Sequence, residues 1–164
     1  MIWSYLIHLG THMWADKNGS LYGRSETPRG LMHMADDKMR TDKEEWIALT
    51  NEIAKKGVNT LIIDLGEGVK YETHPELAIE GSWSVDELKA ELKRLRSIGL
   101  NPIPKLNFAT THDEWLGEYS RMVSTPEYYK VTKELIEEVY EMFLHPSIIH
   151  IGMDEENWKH AVDG

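Results

Sequence analysis

Three times in succession the chain runs from an apolar strand candidate into a polar loop, then into an amphipathic helix, and back through a tight turn to the next strand. The strand candidates are Trp3 to Leu9, Val58 to Leu65, Asn101 to Phe108 and the run from Ser147 to Met153. Helix signals lie between them. Thr41-Asp42-Lys43-Glu44 reads as a capping box ahead of Trp46, Ile47, Leu49, Ile53 and Ala54, with Gly57 closing the helix. Ser84-Val85-Asp86-Glu87 is a second box ahead of Leu88, Leu92, Leu95 and Ile98. Thr125-Pro126 is an N-cap with proline at the first helical position, and the apolar stripe runs on to Leu144 before His145-Pro146 breaks it. Such alternation predicts a parallel sheet covered by helices, the α/β class. Glycines, acids and other polar residues collect after the strands, whereas the returns Lys56-Gly57-Val58 and Ile98-Gly99-Leu100 are short. That asymmetry favours a (β/α)8 TIM-barrel type of fold, here about four βα units, with the site on the loops after the strands. The rival is a doubly wound sheet, against which no Gly-rich phosphate fingerprint follows any strand.

The fourth strand candidate ends unusually. Ser147-Ile148-Ile149-His150-Ile151-Gly152-Met153 leads straight into Asp154-Glu155-Glu156. Buried strands rarely end in three carboxylates, which repel one another and are costly to desolvate unpaired. The cluster is either a site at the mouth of a barrel or a solvated acidic loop. Pro102 and Pro104 in the third strand must fall where no ladder bond is donated. Four strands make half a barrel with two open edges, so 1–164 is expected to be one domain, the N-terminal half of a catalytic barrel. It would belong to a longer chain or close as a homo-oligomer through its exposed edges.

With 164 residues, 41% of them hydrophobic and 28% charged, the chain can build one globular core. A net charge of −10 without a basic block argues against nucleic acid as a partner. No apolar run approaches the ~20 residues of a membrane span, and Met1-Ile2-Trp3-Ser4-Tyr5 lacks the basic lead of a signal peptide. The compartment stays open, a secreted or periplasmic parent included. Zero cysteines removes disulfides, thiolate metal sites and cysteine nucleophiles. Six Trp and seven Tyr against two Phe suit stacking on sugar faces, and equally half-buried packing.

His150-Ile151-Gly152-Met153-Asp154-Glu155 resembles the His-x-Gly-Gly-Asp-Glu motif of the β-N-acetylhexosaminidase type of glycoside hydrolase. Upstream, His74-Pro75-Glu76-Leu77 with Gly81-Ser82-Trp83-Ser84 is similar to the segment after that family's second strand, and Ile98-Gly99-Leu100-Asn101-Pro102-Ile103-Pro104 to its third strand. The likeness spans roughly residues 45 to 156. It implies hydrolysis of terminal N-acetylhexosamine, in which the substrate's own acetamido oxygen attacks the anomeric carbon and no cofactor is needed. On that resemblance Asp154 would orient the acetamido group and Glu155 would act as acid and then base. His150 would be a supporting hydrogen-bonding group or, as readily, a core histidine. The further candidates for sugar contact are Asp64, Glu67, His112, Trp115 and Trp14. The chain departs from the pattern at Met153, at Asp64-Leu65-Gly66-Glu67 in place of an Asp-Asp pair and an aromatic, and in lacking a counterpart of the first-strand Arg.

Three other readings compete. A two-carboxylate glycosidase would pair Glu155 with Asp64 or Glu67, at about 5 Å for retention or 6.5 to 9.5 Å for inversion. A metal hydrolase would draw on His8, His12, His33, His112, His150 and Asp154, but strand residues four apart lie about 13 Å from one another. A non-catalytic sugar-binding or structural half-barrel would use Trp14, Trp83, Trp115 and Trp158 as platforms or as packing.

Overall fold

The computed structural model describes residues 1–14, 37–109 and 112–153. Its elements run β1 (Ser4–His8), α1 (Lys43–Lys55), β2 (Thr60–Asp64), β3 (Val69–Lys70), β4 (Trp83–Ser84), α2 (Val85–Ser97), β5 (Asn101–Lys105) and α3 (Pro126–Met142). β1, β2 and β5 form a parallel sheet in that order, with Ser4 opposite Thr60 and Thr60 opposite Asn101. Beyond β5, His150 makes a single parallel bridge to Lys105. The spatial order thus follows the chain order with no reversal, as in a partial TIM-barrel-like fold and unlike a doubly wound sheet. The sheet is open among the described residues.

Each helix starts where its capping chemistry starts. At α2 both halves of the capping box are present: Glu87 N–H donates to Ser84 Oγ at 3.2 Å and Ser84 N–H to Glu87 Oε2 at 2.8 Å. At α3 Thr125 Oγ1 accepts from Tyr128 N–H at 3.2 Å, with Pro126 at the first helical position. At α1 the expected box is shifted. Asp42, not Thr41, is the N-cap and accepts from the Glu44 and Glu45 N–H groups, while Thr41 Oγ1 donates to the carbonyl of Leu9. Asp caps as well as Thr does, and Thr41 is taken up tying the helix entrance to the end of β1.

One face of the sheet is the core. Leu61 and Ile63 of β2 pack in the same cluster as Leu88, Leu92 and Leu95 of α2, all fully buried. Each such leucine contributes on the order of 1.5–3 kcal/mol by leaving water. Alternation along the strands puts the intervening residues on the opposite face, and the register aligns them in three rows. They are Ser4, Thr60 and Asn101; Leu6, Ile62 and Ile103; His8, Asp64 and Lys105. The last row lies at the C-terminal ends of the strands.

The fourth strand is reduced to its bridge, a correction to the Ser147 to Met153 expectation, and the cause lies in β5. Asn101 N–H and Lys105 C=O bond toward β2, to Asn59 C=O and Leu65 N–H. Residues of β5 in the other phase face the fourth segment: His150 N–H donates to Pro104 C=O at 3.0 Å and Leu106 N–H to His150 C=O at 2.9 Å. Pro102 and Pro104 fall in that phase and have no N–H to give. The prolines spare the ladder to β2 and starve the ladder to the fourth segment. The short β3–β4 pair, with Val69 opposite Trp83, was not foreseen; it folds the excursion after β2 back on itself. No described helix is long and apolar enough to cross a membrane.

Candidate functional site

The row at the strand ends is polar and closed on itself. Asp64 is fully buried. Its Oδ2 accepts from His8 Nδ1 at 3.1 Å, from Lys105 Nζ at 2.7 Å and from Asn107 Nδ2 at 2.7 Å, and Asn107 Nδ2 also lies 2.8 Å from Oδ1. Lys105 Nζ donates in addition to Asn107 Oδ1 at 2.6 Å. The amide orientation follows, because the ammonium can only donate and the carboxylate can only accept. Burial alone would raise the Asp64 carboxyl, but the His8 hydrogen bond and the Lys105 charge outweigh it and hold it below its ordinary value. Asp64 is therefore an ionised, fully engaged carboxylate. With Lys105 it forms a charge-balanced pair.

Around this row the loops after β1, β2 and β5 are strapped together. Glu67 is 1% exposed, and its Oε1 accepts from Thr11 N–H at 2.6 Å and His12 N–H at 3.0 Å. Its Oε2 is buried without a hydrogen bond. Burial raises the Glu67 carboxyl above its ordinary value in spite of the bonds from Thr11 and His12, and the nearby Asp64 charge adds to the rise. The strap needs a bare backbone opposite it, since a Cβ on Gly10 would stand 2.6 Å from Leu65 O and 2.7 Å from Glu67 Oε2. Farther along the loop after β5, Asp113 is fully buried; Arg121 N–H donates to its Oδ2 at 2.7 Å and its Oδ1 has no hydrogen bond. Burial pushes its carboxyl up to about 7.

The fourth segment is seated on this network by one contact. Gly152 lies directly over Asn107: a Cβ there would come within 2.5 Å of Asn107 Oδ1 and 2.8 Å of Leu106 O, and its φ of 62° is in the left-handed region. Its N–H donates to His150 Nδ1 at 3.0 Å. His150 is thus held by its own strand end, with Nδ1 as acceptor.

Asp154 and Glu155 themselves lie outside the described residues. Trp14 ends the short 3-10 turn His12–Trp14, and its side chain also lies outside them. Asp64 belongs to the polar row and Glu67 adjoins it, but both have their surfaces inside the protein, so neither offers an open face to a sugar. Trp115 is 2% exposed, donates Nε1–H to Asn107 C=O at 2.7 Å and packs against Tyr71 and Phe108. Its ring is a support under the row rather than an exposed platform. His112 is partly buried in the loop after β5, its N–H bonded to Ala109 C=O at 2.8 Å. Trp83, likewise, is buried edge-on against Trp46. Among the described residues no group of three or more His, Cys, Asp or Glu gathers as for a metal. Sequence reasoning missed Lys105 and Asn107 and placed His8 only in a metal set. The signal was present, since His8, Asp64 and Lys105 each close their strand in the same phase.

No protein-family model matches the chain, and no curated protein matches it in sequence. Among solved structures it is similar to the Streptomyces plicatus N-acetyl-beta-hexosaminidase in complex with Thio-NAglucal, with a TM-score of 0.58 and 12% identity over 85% of this chain and 30% of that one. The likeness is one of fold. A mutant of the Streptomyces plicatus beta-hexosaminidase, in complex with its product GlcNAc, matches with the same TM-score, identity and coverage. The chain therefore spans about 30% of the length of the hexosaminidases it resembles. What this distant relationship supports is a partial TIM-barrel-like fold, with the polar row at the C-terminal ends of its strands.

Proposed function

We propose that the chain is the N-terminal half of a glycoside hydrolase barrel acting on terminal N-acetylhexosamine or a closely related sugar. Asp154 orients the substrate's acetamido group and Glu155 protonates the leaving oxygen, then activates water. The observation that carries this reading is the charge-balanced polar row on consecutive strand ends, with Gly152 seating the leader of the Asp154-Glu155 pair on Asn107. A row whose Asp64 and Lys105 charges cancel suits a neutral polyhydroxyl ligand better than a phosphate or carboxylate. The distant fold likeness to hexosaminidases supports the same class.

The row also bears on mechanism. A nucleophilic carboxylate must be able to approach the anomeric carbon, and Asp64 is buried beneath His8, Lys105 and Asn107, its oxygens already taken. Glu67 is likewise enclosed and strapped to the first loop. Neither is placed to be the second protein carboxylate, which favours a reaction in which the substrate's acetamido group does that work.

The test is chromophore release from aryl N-acetylglucosaminide, N-acetylgalactosaminide, glucoside and galactoside by the chain and its Glu155→Gln variant. Release confined to the N-acetylhexosaminides and lost in the variant is expected. Release from sugars without the acetamido group would move the chemistry to a pair of protein carboxylates. Release unchanged in Glu155→Gln would overturn the assignment of Glu155, and no release from any substrate, even with the missing barrel half supplied, would leave a binding or structural scaffold.

A further inference from the structure

The polar row has a further member on the fourth segment. His150 lies level with Lys105 across their parallel bridge, and residues level in a parallel pair point to the same face of the sheet. The His150 ring therefore shares a face with Asp64 and Lys105. Its main chain is pinned at both groups: the N–H donates to Pro104 C=O at 3.0 Å and the C=O accepts from Leu106 N–H at 2.9 Å. The ring is pinned as well, because the Gly152 N–H donates to Nδ1 at 3.0 Å. A ring nitrogen that accepts a hydrogen bond carries no proton, so the imidazole keeps its proton on Nε2. Among the described residues nothing accepts that proton, and His150 is only partly buried. Its neighbours differ, since Asp64, Lys105 and Asn107 are buried and turn their polar atoms on one another.

From this geometry we infer that His150 touches the sugar directly, its Nε2–H donating to a sugar oxygen while the Gly152 amide holds the other ring nitrogen. The inference rests on the proposed glycosidase reading and adds to it a substrate-contacting residue and the polarity of its contact. Gly152 is the positioning residue. It also lies over Asn107, so one glycine sets both the seat of the fourth segment and the aim of the imidazole. A donor fixed before binding gives up little freedom when it pairs. It selects a ligand that presents an oxygen at that point, a hydroxyl or an acetamido carbonyl. An ammonium there would face another donor and leave the ring N–H unpaired.

The experiment is a set of proton–nitrogen correlation spectra of the 15N-labelled chain, histidine rings and backbone amides, titrated with N-acetylglucosamine. In the free protein His150 is expected to show Nε2 protonated and Nδ1 bare, and its Nε2 resonance is expected to move as the sugar saturates. Two amide replacements separate this role from a structural one. His150→Asn keeps an oxygen where Nδ1 accepts from Gly152 and deletes the outer donor; it should weaken N-acetylglucosamine about tenfold, the worth of one good hydrogen bond, and melt nearly unchanged. His150→Gln carries an amide donor out to the place of Nε2 and gives up the Gly152 bond; it should hold the sugar better than His150→Asn and melt lower. The reverse order, with His150→Asn at full affinity and His150→Gln weakened, overturns the inference and leaves His150 a structural role alone. A free protein with Nδ1 protonated overturns it as well. Resonances elsewhere that move with the sugar while the His150 ring stays still overturn it too, and leave the glycosidase reading standing. Silence of every resonance toward the sugar sinks that reading and this inference with it.

Discussion

Gly152 carries more than its size suggests, because its backbone occupies the space directly above Asn107. Gly152→Ala adds a Cβ in the left-handed region and against the backbone of residues 106 and 107. It should cost about 2–3 kcal/mol in urea unfolding, whereas Gly57→Ala, with positive φ and open space around it, should cost about 1. Lys105→Met leaves Asp64 charged, buried and short of its cation, and should destabilise by about 3 kcal/mol. Two carboxyls give the stability profile opposite slopes. Asp64 is held below its unfolded value, so its contribution is present above about pH 4 and is lost on acidification through its lowered folded value. Asp113 is raised to about 7, so the folded state keeps a proton that the unfolded chain releases near pH 4. Stability therefore falls between pH 4 and 7, and Asp113→Asn should flatten that slope and gain on the order of 1–2 kcal/mol at pH 8. Thermal melts across pH 3–8 read both effects. Few of these roles were legible in the residues themselves. The acidic triplet announced itself by its charge, but Lys105 was hidden directly after Pro104 in a largely apolar run. Trp115 offered an aromatic in a polar loop, the pattern of a platform, and only its Nε1 bond to Asn107 shows it to be a support.

At the level of elements, capping and periodicity were legible because they are local. The Ser84–Glu87 box stands as read, and Ser84→Ala should cost about 1 kcal/mol, as should Asp42→Ala at α1. The shift from Thr41 to Asp42 was not legible, since the rival acceptor for the Thr41 hydroxyl, the Leu9 carbonyl, is 32 residues away. Strand extent depends on the neighbour, and that explains the shortened fourth strand. Pro104 could be seen to lack a donor, but which side of β5 would miss it depends on register. By that register the missing N–H would meet the carbonyl of Ile148. Pro104→Val should supply the missing donor, give residue 104 a protected amide and slow amide exchange at residue 150 several-fold, with little change in overall stability. Exchange at His150 as fast as in the unaltered chain would show that something other than the proline limits the ladder.

At the scale of the whole sheet, which is open among the described residues, Tyr5, Leu6, Ile148 and Ile151 are exposed at 39–47% along the two flanking segments. Apolar side chains beside unpaired strand edges invite pairing with another chain or with further strands of a longer one. Leu6→Lys together with Ile151→Lys should reduce any self-association seen by sedimentation velocity and leave the melting of α1–α3 largely unchanged. The parallel α/β order was legible from the asymmetry between polar post-strand loops and tight returns, a property of many residues together. The excursion that forms β3 and β4 was not, because its two-residue pairing has no periodicity to show.

Asn107 belongs to the polar row through its side chain and forms the floor beneath the fourth segment through its backbone. A disturbance in the row is therefore transmitted mechanically to the segment that carries Asp154 and Glu155. In a double-mutant cycle Lys105→Met and Gly152→Ala should fall short of additivity by on the order of 1 kcal/mol, since each frees Asn107 to move for the other. On the proposed reading, chemistry at the end of the fourth segment would in that sense be tuned from the neighbouring strand.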